Sequence, residues 1–215
     1  MTAPKLDWQA WHTGYDSDTP LRRRLEIVQH QIGEVLDTFS GSPLRVVSMC
    51  AGEARDLLGA LDVRERRDIT GRLVELDPEL AGRARAHAAA LGLDDLEVVV
   101  GDAGTTASYA GAVPADLVLM CGVFGNISDA DVERTLRAAP MFSAPGATLI
   151  WTRHRRAPDM TVNIRRWLAE SGFENTAYEP VPDSDTLGTV GVAVFPGQTA
   201  PFVDQSLFRF IREKL

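Results

Sequence analysis

Apolar and polar positions along the chain follow two different periods. Short apolar runs bounded by turn residues predict seven strands, near residues 44–49, 71–75, 96–100, 117–121, 148–152, 174–180 and 190–195. The segments between them carry apolar residues at helical spacing and predict helices near residues 56–61, 78–91, 129–141 and 161–171. Strands that alternate with helices are typical of an α/β protein, in which a mostly parallel sheet has helices on both faces.

Turn and capping residues indicate where several of these elements begin and end. Pro78 suits the first turn of a helix, where its missing N–H costs nothing, and Gly92 suits a helix end. Pro145 and Gly146 predict a turn before the fifth strand. The loop near residues 182–188 is too short to hold a crossover helix, so we expect the last two strands to pair antiparallel. The predicted sheet is therefore mixed, with one reversed strand.

The N-terminal residues stand apart from this alternation. An apolar stripe over residues 22–39 predicts a helix, and an aromatic cluster that includes His12 and Tyr15 precedes it. Two interpretations stay open: a helix that packs on the sheet and anchors a tail, or a lid that covers a ligand cleft. We divide the chain into an N-terminal helical lid segment, residues 1–40, and a main domain, residues 41–215.

Three short motifs follow the first three predicted strands. The first strand runs into the small-residue loop Cys50-Ala51-Gly52 and then a helix, as in nucleotide-binding α/β units. Glu75 ends the second strand, where a carboxylate can accept hydrogen bonds from both hydroxyls of a ribose. After the third strand, the Asp102 carboxylate can accept from the exocyclic amine of adenine while the Ala103 N–H donates to a ring nitrogen.

Together these motifs resemble the class I S-adenosylmethionine-dependent methyltransferases over about residues 44–196. The resemblance implies a Rossmann-like doubly wound sheet of seven strands, one of them antiparallel, and S-adenosylmethionine as the cofactor. The residues expected to bind this methyl donor are Tyr15, Cys50, Ala51, Gly52, Glu75, Leu76, Gly101, Asp102, Ala103 and Cys121.

The first loop departs from the usual pattern of that family, which reads acid-x-Gly-x-Gly-x-Gly. Ser48 occupies the acid position, and Cys50, Gly52 and Ala54 occupy the glycine positions. A pyrophosphate needs close backbone approach at several points, whereas S-adenosylmethionine carries no phosphate, so one glycine can suffice. This favours the methyl donor over NAD. Glu53 either replaces part of the missing acid or is a solvated loop glutamate.

Candidate acceptor residues follow the fourth and fifth strands, because ligands of open α/β sheets bind beyond the carboxyl ends of the strands. Phe124 and Asn126 are expected to line the acceptor pocket, although Asn126 is equally well explained as a turn residue before a helix. Arg153, and His12 from the N-terminal segment, are the other expected substrate contacts. An Asn/Asp-Pro-Pro-aromatic motif is absent here, which disfavours amino methylation of nucleic acids.

His154 is the candidate catalytic residue. An imidazole titrates near neutrality and can take a proton from a hydroxyl acceptor, and the neighbouring arginines should lower its pKa and keep it neutral. Methyl transfer depends mainly on in-line alignment, so a base is not required for an acidic acceptor. The alternative is a loop histidine that is hydrogen-bonded to backbone.

Composition narrows the choice of partner and compartment. The chain of 215 residues fits one domain with a short appendage, and its formal net charge of −8 repels the phosphates of nucleic acids. No apolar run reaches the ~20 residues that a membrane span needs. The absence of a secretory signal and the presence of two cysteines, expected to be buried and inert, predict a cytoplasmic protein. No Cys/His spacing suggests a metal site.

These observations predict a cytoplasmic S-adenosylmethionine-dependent methyltransferase that acts on a small molecule, with no nucleic-acid or membrane partner. Two alternatives stay open. One is a nucleotide-dependent oxidoreductase, and the other is a methyltransferase-like protein that binds the donor or a metabolite without turnover.

Overall fold

The structure, a computed structural model, describes residues 19–182 and 188–211. Its strands are β1 (Leu44–Met49), β2 (Ile69–Glu75), β3 (Leu96–Val100), β4 (Ala115–Met120), β5 (Ser143–Arg153), β6 (Glu174–Pro180) and β7 (Thr189–Phe195). Its helices are α1 (Pro20–Thr38), α2 (Arg55–Asp62), α3 (Pro78–Ala90), α4 (Asp129–Phe142) and α5 (Thr161–Glu170), with a short 3-10 helix at Thr106–Tyr109. The predicted α/β class is confirmed.

The strands form one sheet in the order β3-β2-β1-β4-β5-β7-β6. The first five strands along the chain pair parallel to their neighbours, whereas β7 is antiparallel to both β5 and β6. The predicted hairpin of the last two strands, and the single reversed strand, are therefore confirmed. The chain order reverses between β1 and β4, which is where open α/β sheets bind ligands.

Each face of the sheet carries its own apolar core. In β1, Leu44 and Val46 face a cluster covered by α1, α2 and α3, and Val47 and Met49 face a cluster covered by α4 and α5. Both sides of the central strands are buried, so these strands appear in the sequence as nearly continuous apolar runs. Within the N-terminal segment, α1 packs on the sheet through the buried side chains of Val28, Ile32 and Leu36.

Polar caps position the helices around the carboxyl ends of the strands. The Asp77 carboxylate accepts from the backbone N–H groups of Glu79 and Leu80 at the start of α3, and Pro78 occupies its first turn as expected. Ser128 caps α4 by accepting from the Asp131 N–H. Gly92 follows α3 with φ of 70°, in the left-handed region that favours glycine.

The turn predicted at Pro145 and Gly146 is wrong, because both residues lie inside β5. Helix α4 ends at Phe142 and β5 begins at the next residue, Ser143. The pairing of β5 with β4 is irregular in this stretch, and Gly146 has φ of 83°. A local bulge with a positive-φ glycine thus takes the place of a separate turn.

The C-terminal residues form a feature that the sequence pattern did not predict. Residues 199–211, here called the C-terminal strap, lie outside any helix or strand and make isolated bridges to the loops after β3 and β4. Leu207 is fully buried and Phe208 is 2% exposed, both within the core covered by α4 and α5. The strap is therefore anchored in the domain beside the carboxyl ends of the strands.

Candidate active site

The loop after β1 bends through a series of left-handed residues. Cys50, Gly52 and Ala54 have φ of 55°, 59° and 55°. These are the three positions at which the resembling family has glycine. Glycine adopts this conformation without strain, whereas each residue with a side chain costs about 1–2 kcal/mol. The loop thus keeps a tight turn although two of its residues carry side chains.

The Glu75 carboxylate ties this loop to the end of β2. Glu75 is 2% exposed, and its Oε2 accepts from the Gly52 N–H at 2.8 Å while its Oε1 accepts from the Asp77 N–H at 2.9 Å. The Ala51 N–H also donates to the Val74 carbonyl at 2.9 Å. A carboxylate can accept about four hydrogen bonds, which is the chemistry that ribose hydroxyl groups require.

Glu53 is not a solvated loop glutamate, and that interpretation was wrong. Its side chain is buried between two arginines, with Oε2 at 2.6 Å from Arg55 Nε and Oε1 at 2.7 Å from Arg83 Nη1. The ion pairs connect the loop to α2 and α3. Such pairing offsets the cost of removing the carboxylate from water.

Asp102 lies exposed in the loop after β3. Its Oδ1 accepts from the Gly104 N–H at 2.8 Å, which closes a small turn. Ala103 is buried, and its carbonyl accepts from the Tyr109 hydroxyl at 3.1 Å. Gly101 donates its N–H to the Glu75 carbonyl at 2.9 Å, so the loop is held against the end of β2. No bond within the described residues is recorded for the second oxygen of Asp102.

Leu76 and Val100 are exposed apolar residues at the carboxyl ends of β2 and β3. Their exposed fractions are 45% and 44%, and the two strand ends are adjacent because Glu75 and Val100 are partners in the pairing of β2 with β3. Exposed apolar side chains beside a few fixed polar groups are typical of ligand sites. Val100 was missed in the sequence, although its position directly before Gly101 was an available signal.

The two cysteines pack against different cores. Cys50 contacts the cluster covered by α4 and α5, and Cys121 contacts the cluster covered by α1, α2 and α3. Neither residue forms a disulfide bond, and both residues are partly exposed. Cys121 lies one residue beyond β4, and burial of its thiol raises its pKa well above the ordinary value. The thiol is therefore neutral at physiological pH.

The loop after β4 turns sharply before α4. Asn126 donates from Nδ2 to the Gly122 carbonyl at 2.8 Å, which is the bond expected of a turn residue. The Gly122 N–H donates to Thr152 Oγ1 at 2.8 Å and joins this loop to β5. Phe124 is completely buried in the core, so it offers no exposed surface to an acceptor in this arrangement.

His154 follows the last residue of β5 and lies against the loop after β4. A Cβ atom placed on Gly125 would be 3.5 Å from His154 Cδ2. Burial lowers the pKa of His154, and the charges of Arg153 and Arg156 lower it further, against the opposing effect of Asp129 and Asp159. The imidazole is therefore neutral near pH 7. Its Nδ1 is buried and has no hydrogen-bond partner among residues 19–182 and 188–211.

Arg153 is buried beside this histidine. It is 8% exposed, and its Nη2 lies 3.4 Å from Asp129 Oδ1, a long contact for an ion pair. Burial lowers its pKa from the ordinary value. Arg153 and His154 thus place polar groups of low hydration at the carboxyl end of β5. The other expected site residues, His12 and Tyr15, lie outside the described residues.

The described part of the chain contains no group of three or more His, Cys, Asp or Glu side chains arranged to hold a metal ion. None of its helices is both long and apolar enough to cross a membrane.

The sheet order, with β7 alone reversed and polar loops after β1, β2 and β3, defines the fold of the class I S-adenosylmethionine-dependent methyltransferases. Magnesium protoporphyrin IX methyltransferase from Synechocystis PCC 6803, solved with bound S-adenosylhomocysteine, is similar with a TM-score of 0.67. The match covers 87% of this chain and 93% of that chain at 12% identity.

Two other solved structures share the fold. An O-methyltransferase family protein from Burkholderia thailandensis has a TM-score of 0.59 and 14% identity, over 80% of this chain and 57% of that chain. An rRNA methylase from Streptococcus thermophilus has a TM-score of 0.58 and 12% identity, over 80% of this chain and 96% of that chain. No family model matches the sequence, and no curated protein matches it either.

Proposed function

We propose that this protein is an S-adenosylmethionine-dependent methyltransferase that methylates a small-molecule acceptor. The observation that carries the proposal is the convergence of three motifs at the carboxyl ends of adjacent strands. The left-handed loop after β1, the buried Glu75 at the end of β2 and the loop that carries the exposed Asp102 are joined by hydrogen bonds from the Gly52 and Gly101 N–H groups to Glu75. An oxidoreductase is disfavoured because the usual dinucleotide sheet is all parallel, whereas β7 is reversed.

The residues present fit the proposed donor. Glu75 would accept hydrogen bonds from the ribose hydroxyls, and Asp102 with the Ala103 N–H would recognise the adenine edge. Leu76 and Val100 would pack against the adenine ring, because both expose apolar surface beside Asp102. The loop residues Cys50, Ala51 and Gly52, together with Gly101 and Cys121, would line the cleft, and closure by Tyr15 stays a prediction.

When bound, the donor would supply an electrophilic methyl group, which would pass to the acceptor atom as the S–CH₃ bond breaks and S-adenosylhomocysteine leaves. The chain's own residues then have to orient the acceptor and remove its proton. Neutral His154 would accept that proton from a hydroxyl acceptor, and its lowered pKa favours the neutral form that can do so. Arg153 would hold a negative group of the acceptor beside it. Acceptor contacts from His12 and Asn126 stay predictions, and the proposal does not use Phe124, which is completely buried.

A small-molecule acceptor is favoured over a nucleic acid by charge. The chain has a formal net charge of −8, and nucleic-acid affinity depends on neutralising phosphates with Lys and Arg. Because one similar structure is an rRNA methylase, RNA belongs in any acceptor screen. A cytoplasmic location also stays a prediction.

Titration calorimetry tests the donor, and a methylation screen tests the acceptor. We expect S-adenosylhomocysteine to bind and NAD not to bind. With donor labelled in its methyl group, label should pass to a small-molecule fraction of a metabolite extract and not to total RNA. Binding of NAD alone would overturn the proposal. Donor binding without transfer to any fraction would favour the alternative of a protein that binds without turnover.

A further inference from the structure

The C-terminal strap is hydrogen-bonded to the loop that would recognise adenine. The Leu207 N–H donates to the Gly104 carbonyl at 2.7 Å, and the Thr106 N–H donates to the Gln205 carbonyl at 3.0 Å. In return the Gln205 N–H donates to Thr106 Oγ1 at 2.8 Å. Ser206 also forms a bridge with Thr105. This contact begins two residues after Asp102 and continues through the following turn.

The far end of the same strap is bonded to the loop beside the acceptor side of the cleft. Phe210 forms a bridge with Ile127, and the Ile211 N–H donates to the Asn126 carbonyl at 2.9 Å. Between the two contacts, Phe208 is buried and its ring meets that of Phe210 edge-on at 5.6 Å. The middle of the strap is therefore buried in the core, and each end of the strap is hydrogen-bonded to a different loop.

The two loops are otherwise far apart in the sheet. Strands β2 and β1 separate β3 from β4, so the strand ends are about 14 Å apart at the usual ~4.8 Å spacing. The strap crosses this part of the sheet over the few residues between its hydrogen bonds to Gly104 and Asn126.

We propose that the C-terminal strap couples donor binding to the order of the loop after β4, which lies on the acceptor side of the site. The inference rests on the proposed function, because it takes the loop after β3 to bind the donor. A donor that restricts the motion of this loop also restricts residues 205–207, which are bonded to it. Because the middle of the strap is buried, the motion of residues 210 and 211, and of Asn126 bonded to them, is restricted as well. Donor binding then stabilises the loop after β4, on the acceptor side of the site.

Gly104 allows the strap to lie close against the loop after β3. A Cβ atom at Gly104 would lie 2.3 Å from the Phe208 carbonyl oxygen, closer than real contacts allow. Its φ is not in the left-handed region, so the constraint is the close approach of the strap and not backbone strain. A side chain here would push the strap away from the loop. It would also lie 3.1 Å from Asp102 Oδ1, so the exchange comparison has to be made at saturating ligand.

Hydrogen–deuterium exchange with and without S-adenosylhomocysteine tests the coupling in the full chain. In the wild-type protein we expect the ligand to slow exchange in residues 101–107, in residues 205–211 and in residues 122–127. In Gly104→Ala, the affinity should fall by about five- to hundredfold, and protection of residues 122–127 should disappear. Gly82→Ala is the matched control, because no atom lies within 4 Å of a Cβ placed there.

The outcomes separate this inference from the proposed function. If the wild-type protein does not bind S-adenosylhomocysteine, the proposed function fails and the coupling fails with it. If it binds but only residues 101–107 are protected, the donor site stands and the coupling is wrong. If Gly104→Ala does not fold, Thr106→Val tests the same contact, since it removes the hydroxyl that bonds Gln205 and keeps the side-chain volume. Unchanged protection of residues 122–127 in a folded Thr106→Val would also overturn the coupling.

Discussion

Replacing Asp102 by asparagine should weaken donor binding and leave the fold intact. The side chain is exposed, and its Oδ1 is engaged by the Gly104 N–H at 2.8 Å, a bond that an asparagine oxygen can keep. The second oxygen becomes an NH₂ group, which cannot accept from the adenine amine. A hydrogen bond to a charged group is worth about 1.5–3 kcal/mol, so affinity for S-adenosylhomocysteine should fall by about ten- to hundredfold.

Calorimetry and thermal unfolding of the same samples separate binding from stability. Asp94→Asn is the matched control, because it makes the same charge change at an exposed position before β3, at the opposite end of that strand. The Tm of unliganded Asp102→Asn should stay within about 2 °C of wild type, which corresponds to less than about 1 kcal/mol for a chain of this size. An affinity equal to wild type in folded Asp102→Asn would refute adenine recognition by this carboxylate.

Three further predictions concern other parts of the site. Glu75→Gln should lower both donor affinity and Tm. The buried carboxylate accepts from the Gly52 and Asp77 N–H groups, and in the variant one of these N–H groups loses its acceptor. If calorimetry shows weaker binding while the Tm is unchanged, this prediction is wrong. His154→Ala should lower turnover by about 10²–10⁴-fold with donor affinity unchanged. Since burial and the neighbouring arginines lower the pKa of His154 below 6.5, the wild-type rate should rise with pH through an ionisation below that value, and a pH–rate profile that is the same in the variant would exclude the base. Deletion of residues 1–18 should leave the circular dichroism spectrum intact and impair donor retention or turnover, and full activity of the folded truncated protein would exclude a lid.

The sheet was predictable because its strands leave a strong signal in the sequence. Central parallel strands are buried on both faces, so residues such as Val46 and Val47 are both apolar and the strand appears as a continuous run. The start of β5 was not predictable, since Pro145 and Gly146 ordinarily mark a turn and only the pairing with β4 shows them inside a strand. The apolar residues of the strap do not repeat every two or 3.6 residues, because the strap is neither a strand nor a helix and contacts the domain through isolated bridges. The pattern of apolar residues therefore does not predict where it lies.

The places of Glu75 and Asp102 in the fold were predictable, but their supporting contacts were not. Glu75 ends a strand and Asp102 comes shortly after one, and the end of a strand is visible in the sequence. The partners of these residues come from elsewhere in the chain: Gly52 bonds Glu75 across 23 positions, and Arg83 bonds Glu53 across 30 positions. Such long-range contacts depend on the packing of α2 and α3 against the sheet, so they cannot be predicted from local patterns in one sequence.

The first loop explains how a site can keep its shape while its glycines are replaced. Cys50 and Ala54 retain left-handed backbone conformations that cost about 1–2 kcal/mol each for a residue with a side chain. Such strain persists only where the surroundings determine the conformation. Here they do, because the Ala51 N–H is fixed by Val74, the Gly52 N–H by Glu75, and the Glu53 side chain by two arginines. The missing glycines are therefore weak grounds for doubting donor binding, since the backbone turn that glycine ordinarily permits is present without them.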